Sequence, residues 1–393
     1  MKLDLFYEID VPRPWPGEHP YGQKKAEQES YKEAFEQIQL GDKLGFNTVW
    51  CVEHHFREGR SHMPTPEAVL GALSQITENI KLGFGVTLAP FDFIHPSRIA
   101  EKVATVDVLS HGRVEWGLGR STPMEQMAFG VDPTTSKEQL REAARIVAGM
   151  WREEYFEYES ETFSFPRRMV TPKPYQDPSP QGWIAATSME SSIIAGDHGM
   201  GLLSFAIMQP ISQMADLIYN YKQAAKTATD QLLDIANNRA ACYTLVHCVE
   251  DEADLDKNRA WESVWWWYKN IAEFTLEWEL AHMPKEKADA LFPLLTKFAD
   301  GDIDPKIFND YDMIMIGTPD QIVPKMKKYA DCGVDQLLCY KQFGFLPHDS
   351  IMTSMELLNK HVMPELDSYQ PDPDNNPIMQ KVKAKYDAEH ASQ

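Results

Sequence analysis

Short apolar runs alternate with amphipathic stretches of helix length in a regular rhythm along most of the chain. Parallel strands joined by helical crossovers bury such runs on both faces, so the rhythm predicts an α/β fold. Leu3 to Ile9 reads as a strand. Residues 27 to 45 place Tyr31, Ala34, Phe35, Ile38 and Gly41 on one helical face and stop at Gly45. Residues 47 to 54 (NTVWCVEH) give a second strand, and Thr65, Pro66 and Glu67 supply the cap, first-turn proline and acid of a second helix. Lys81 to Pro90 is a third strand, and the helix after Pro96 turns Ile99, Val103 and Val106 inward. Arg113 to Arg120 is a fourth. Ser136 with Gln139 reads as a capping box for a helix carrying Leu140, Ala143, Val147 and Met150 at helical spacing.

Residues 152 to 181 break the rhythm and predict a hairpin-like excursion. Trp183 to Thr187, Leu202 to Ala206 and Ala241 to Val249 then continue the strands, with helices over Ser188 to Gly199 and residues 211 to 227 between them. The eighth unit arrives late. Thr318 and Gln321 form a capping box, Ile322, Met326 and Tyr329 line its helix, and Asp335 to Lys341 is the last strand. The expected architecture is one (β/α)8 TIM barrel over residues 1–393, with a lid or insertion at about 268–311 before the last β/α unit. A doubly wound open sheet is the alternative.

Composition narrows the function classes. A net charge of -21 argues against nucleic-acid and anionic-membrane partners, which need a basic face. Five cysteines without a CxxC pair predict reduced thiols in a cytoplasmic protein. The N-terminal MKLDLFYEIDVPRPW lacks the uninterrupted apolar core of a signal peptide, and no segment reaches membrane-spanning length.

In such a barrel, chemistry sits at the carboxyl ends of the strands. The second strand ends in Glu53, His54, His55 and Phe56, and strand alternation would send the two histidines to opposite faces. One of them is suited to proton handling, while satisfied helix ends explain the pair equally well. No metal is expected, because HExxH and paired CxxC are both missing. Gly83 and Gly85 share a face of the third strand. Such a pair marks the close approach of a flat ligand ring or tight packing inside the barrel. Gly117, Gly119 and Arg120 close the fourth strand without completing a dinucleotide fingerprint. Thr187, Ser188, Ser191 and Ser192 stand at a helix start, where hydroxyls and free N–H groups make an anion site that Arg120 and Lys137 could join; ordinary capping explains Ser188 alone. The tryptophans of residues 261–267 read as core or interface.

The strings TVWCVEHHF, LGFGVTLAP followed by HPSRIAE, VDVLSHGRVEWGLGR and IGTPDQ resemble the bacterial luciferase-like flavin monooxygenase family over most of the chain, least at residues 250–311. The resemblance implies a barrel that takes reduced FMN from a separate NAD(P)H:flavin reductase. It also implies reaction with O2 through a C4a-peroxyflavin and oxygenation of a small organic substrate. It makes His54 the active-site histidine and places Gly85 and Val86 against the isoalloxazine, joined by a peptide that is often cis. Arg120, Lys137, Ser188 and Ser191 become phosphate contacts. Thr187 and Gly119 stand where light-emitting members have glutamate and cysteine, which favours a non-luminescent enzyme. A homodimer is also implied. The rival readings are an F420-dependent oxidoreductase and a catalytically silent flavin-binding protein on the same barrel.

Overall fold

A computed structural model of the chain describes residues 1–391 apart from 208, 281, 282 and 292. Its strands are β1 (Lys2–Tyr7), β2 (Thr48–Cys51), β3 (Lys81–Leu88), β4 (Val114–Gly119), β5 (Phe156–Glu159), β6 (Ser164–Arg168), β7 (Gln181–Ala185), β8 (Gly201–Phe205), β9 (Ala240–Cys248), β10 (Met315–Gly317) and β11 (Gln336–Tyr340). Eight of these pair in parallel in the order β1-β2-β3-β4-β7-β8-β9-β11, and β11 returns to β1 with Lys2 opposite Gln336. The sheet is therefore closed, and the barrel expected from the rhythm is present. The excursion is the antiparallel hairpin β5–β6. One strand escapes the sequence reading: β10 is three residues long and pairs with Val246–Cys248, beyond the part of β9 that meets β11. Three residues carry too little periodicity to register.

Two tryptophans fill the barrel interior. Trp50 and Trp183 meet edge to face with ring centroids 5.4 Å apart, and their indole N–H groups donate to Asp4 (2.8 Å) and Glu115 (2.6 Å). A Cβ on Gly83 would stand 2.5 Å from the Trp50 ring, and one on Gly201 would stand 2.4 Å from the Trp183 ring. These glycines exist because a large buried ring occupies the place of a side chain. The flat ring facing Gly85 is likewise the indole of Trp50, 3.2 Å from where its Cβ would be. Packing against Trp50 therefore accounts for the missing side chains of Gly83 and Gly85.

Several element ends move. Strand β2 stops at Cys51, so Glu53, His54 and His55 belong to the following loop. The capping box expected from Ser136 and Gln139 does not form: Thr135 is the N-cap of helix Ser136–Arg152, and Gln139 instead accepts the Phe91 N–H at 2.9 Å. Thr318 and Gln321 do form theirs, with the Thr318 N–H 2.9 Å from the Gln321 side-chain oxygen. Between β9 and β10 the tryptophan-rich stretch forms helix Ala260–Phe274, and the insertion at about 268–311 also contains helices, Lys285–Leu291 and Lys306–Asp310 among them. Trp267 and Tyr268 are buried there, and Tyr268 stacks on Phe308 at 3.7 Å. All five cysteines are buried and unpaired. No helix among the described residues is long and apolar enough to cross a membrane.

Candidate active site

His54 is held by a carboxylate that arrives from another strand's end. Beyond β4, helix Pro123–Phe129 opens with Thr122, Pro123 and Glu125, a cap followed by a first-turn proline and an acid. The Glu125 side chain has no solvent exposure, and its Oε1 lies 3.0 Å from His54 Nδ1. The same carboxylate accepts the His55 backbone N–H and the hydroxyls of Ser121 (2.5 Å) and Thr122 (2.8 Å). Arg57 Nε stands 3.9 Å away. Burial by itself would raise the carboxyl's pKa, but His54, Arg57 and the Ser121 hydroxyl together pull it well below the ordinary range. An ionised carboxylate against Nδ1 places the ring proton there and presents Nε2 to the cavity. No group among the described residues hydrogen-bonds Nε2.

That cavity, of about 470 Å³, is lined by His54, His55, Arg57, Ser61 and His62 among others. The two histidines do not split across a strand as alternation predicts, because the strand has ended before them; both reach the cavity. Their tasks still differ. His55 packs its ring on Phe129 with centroids 4.9 Å apart, and its Nε2 lies 3.6 Å from Glu53.

The adjoining strand ends form a floor of small residues. Gly85 and Val86 are half-buried and joined by a cis peptide, and the β3–β4 register shifts between Phe84 and Thr87. A Cβ on Gly119 would lie 2.4 Å from Val86 and 3.8 Å from the Ala185 side chain, so the glycine lets β3 and β7 close over β4. Ala185 is exposed, and it also lines a narrow cleft with Arg120, Lys137, Arg141 and Ser191. Ser188 caps helix Met189–Asp197, accepting the Ser191 N–H at 3.3 Å and donating to the Ser191 hydroxyl at 3.0 Å. Arg120 Nη1 donates to the buried Ser136 hydroxyl at 3.0 Å. Three cations, two hydroxyls and a helix N-terminus make this a fitting cradle for a phosphate. The flat apolar floor beside it suits the ring system of a flavin.

The structure thus gathers Arg120, Lys137 and Ser191 in one cleft with Ser188 at its rim, and joins Gly85, Val86 and Gly119 in one floor. Thr187 is exposed and lies outside the residues lining the cleft. Sequence reasoning missed Glu125, Arg141 and Ser136. The string Thr122-Pro123-Met124-Glu125 carried a capping signature that marks the helix, although nothing local ties Glu125 to a histidine 71 residues away.

Residues 14–336 match the family model described as luciferase-like monooxygenase. The chain is 25% identical over 349 residues to the oxygenase component of a flavin-dependent trigonelline monooxygenase from Acinetobacter baylyi, covering 87% of this chain and 91% of that one. Among solved structures, the monooxygenase RslO1 from Streptomyces bottropensis superposes with a TM-score of 0.72 at 23% identity, over 93% of this chain and 100% of that one. The oxygenating constituent of 3,6-diketocamphane monooxygenase from Pseudomonas putida, solved with FMN, gives 0.67 at 18% identity, over 93% and 98%. At these identities both structures establish a shared barrel and nothing finer.

Proposed function

Because the chain belongs to the luciferase-like monooxygenase family, we propose that it is the oxygenase component of a two-component system. It would use reduced FMN from a separate NAD(P)H:flavin reductase, together with O2, to oxygenate a small organic substrate. The observation that carries this reading is His54 oriented by the buried Glu125, in the same barrel mouth as the small-residue floor and the cation-lined cleft. A homodimer, and closure of the helical segment around 268–311 over the mouth, belong to the same proposal.

When bound, reduced FMN supplies two electrons and the ring carbon at which O2 is activated. The chain's residues do the rest. Arg120, Lys137, Ser188 and Ser191 bind the phosphate. Gly85, Val86 and Gly119 offer a surface on which the ring lies without meeting a long side chain. His54 holds or moves a proton at Nε2 while Glu125 keeps its Nδ1 protonated. Closure of the segment around 268–311 over the mouth would keep bulk water from the reacting atoms.

The proposal is tested by loading the chain anaerobically with reduced FMN, mixing it with O2 and following flavin absorbance. Return of oxidised FMN much more slowly than for free flavin supports it. Return at the rate of free flavin removes it, and turnover with F420 in the same protein would replace it with the hydride-transfer reading. A separate prediction concerns the cleft. Arg120→Ala is expected to weaken oxidised FMN binding roughly ten- to a hundred-fold, as loss of a charge-assisted contact does, while riboflavin binding stays within about two-fold. Equal losses for both flavins in a binding titration would take Arg120 out of the phosphate site.

A further inference from the structure

Two cations that line the cleft are already paired with a carboxylate of the chain itself. Glu190 is the second residue of helix Met189–Asp197, directly before Ser191. One of its carboxylate oxygens lies 2.7 Å from Lys137 Nζ, and the other lies 3.5 Å from Arg141 Nη2. Lys137 and Arg141 line the same cleft as Arg120 and Ser191. Their pull, led by the Lys137 hydrogen bond, holds the Glu190 carboxyl below its ordinary range. Glu190 is 59% exposed and makes no other polar side-chain contact among the described residues, so a change of rotamer suffices to release the cations.

We propose that Glu190 is an internal competitor for the cofactor's phosphate, one that must leave Lys137 and Arg141 before they can turn to the incoming group. This rests on assigning the Arg120 cleft to that phosphate. With Glu190 in place the three cations present a net charge of about +2 instead of +3, so the carboxylate lowers affinity for a phosphate and leaves a neutral-tailed flavin untouched. Among the acids, Glu138 also approaches Arg141 at 3.5 Å, and it does not reach Lys137. Among the described residues, Glu190 alone bridges two of the cations. The residue therefore sets how tightly FMN is held relative to flavins without a phosphate, and how readily FMN leaves.

The test is a titration of the full-length chain with oxidised FMN and with riboflavin, followed by flavin fluorescence at low ionic strength. Glu190→Gln is expected to tighten FMN roughly three- to ten-fold, the range that loss of weak exposed ion pairs allows, with riboflavin unchanged within about two-fold. The gain should shrink in about 0.5 M salt, where such charges are screened. Glu190→Asp, too short to span both cations, should fall between. Glu154→Gln removes an exposed acid that forms no ion pair among the described residues, and it should leave both flavins unchanged. Unchanged or weaker FMN binding in Glu190→Gln, an equal gain for riboflavin, or an equal gain in Glu154→Gln would overturn the inference. The underlying assignment fails differently. If the wild type binds neither flavin or does not prefer FMN, or if Arg120→Ala loses both flavins equally, the cleft is not a phosphate site. If Arg120→Ala abolishes a clear FMN preference while Glu190→Gln changes nothing, only the competitor role falls.

Discussion

His54→Ala is expected to bind reduced FMN within about two-fold of the wild type and to release hydrogen peroxide and oxidised FMN roughly 10²- to 10⁴-fold faster after mixing with O2. That range is what a positioned proton-handling group contributes. The side chain is not among those that line the cation-bearing cleft, so affinity for the flavin phosphate has no reason to fall with it. Stopped-flow absorbance and a peroxide assay read both rates without any knowledge of the substrate. His55→Ala makes the useful contrast. His55 gives the Glu125 carboxylate only its backbone N–H, which alanine retains, so its rates should change less than about three-fold, within what rearrangement of a packed neighbour costs. Equal behaviour of the two variants, or an unchanged His54→Ala rate, would remove His54 from its role.

Glu125→Ala is expected to have the second largest effect, on stability and reactivity together. It leaves the buried Arg57 without its counter-charge and the hydroxyls of Ser121 and Thr122 without their common acceptor, and breaking a buried charged pair costs about 3–5 kcal/mol. A denaturant titration should show the midpoint fall by a corresponding amount. Glu125→Gln keeps one acceptor oxygen and should cost less. It should nonetheless disturb His54, because an amide no longer dictates which ring nitrogen carries the proton, and a loss of roughly 10²-fold or more in control over oxygen is expected. A Gln variant that retains the wild-type rates would show that the hydrogen bond to Nδ1 does not orient the ring. The acid limb follows the same group. The folded-state pKa of Glu125 is depressed, so its stabilising contribution is complete above the unfolded value near 4.5 and is lost as pH falls towards the folded value. Wild type should therefore lose stability over this acid window more steeply than Glu125→Gln, as denaturation midpoints at successive pH values would record.

Much of the fold was legible because its signals are local. Each barrel strand is an apolar run a few residues long and each helix has its own period and cap, so Val103, Leu140 and Met326 could be placed inward from their spacing, and all are buried. The cleft was partly legible for the same reason. Ser188 and Ser191 announce a helix start, and Arg120 ends a strand one unit earlier, so the barrel topology brings them near each other. Element ends were less legible. Strand β2 looks as if it continues to His54, yet its pairing with β3 ends at Cys51, and only the neighbouring strand could say so.

The sequence by itself determined the eight-fold alternation, the mouth on which the candidate site residues fall and the identity of the histidine pair, since all of these follow from periodicity and chain order. The tertiary structure alone decided that the glycines of β3 face Trp50 and that His54 answers to Glu125. It also decided that Lys137 and Arg141 are bridged by Glu190. Each of these joins side chains from separate β/α units, 33 to 71 residues apart for the glycine and histidine cases. Contacts between units depend on how a closed barrel turns each strand and fills its interior, and no local pattern records that geometry.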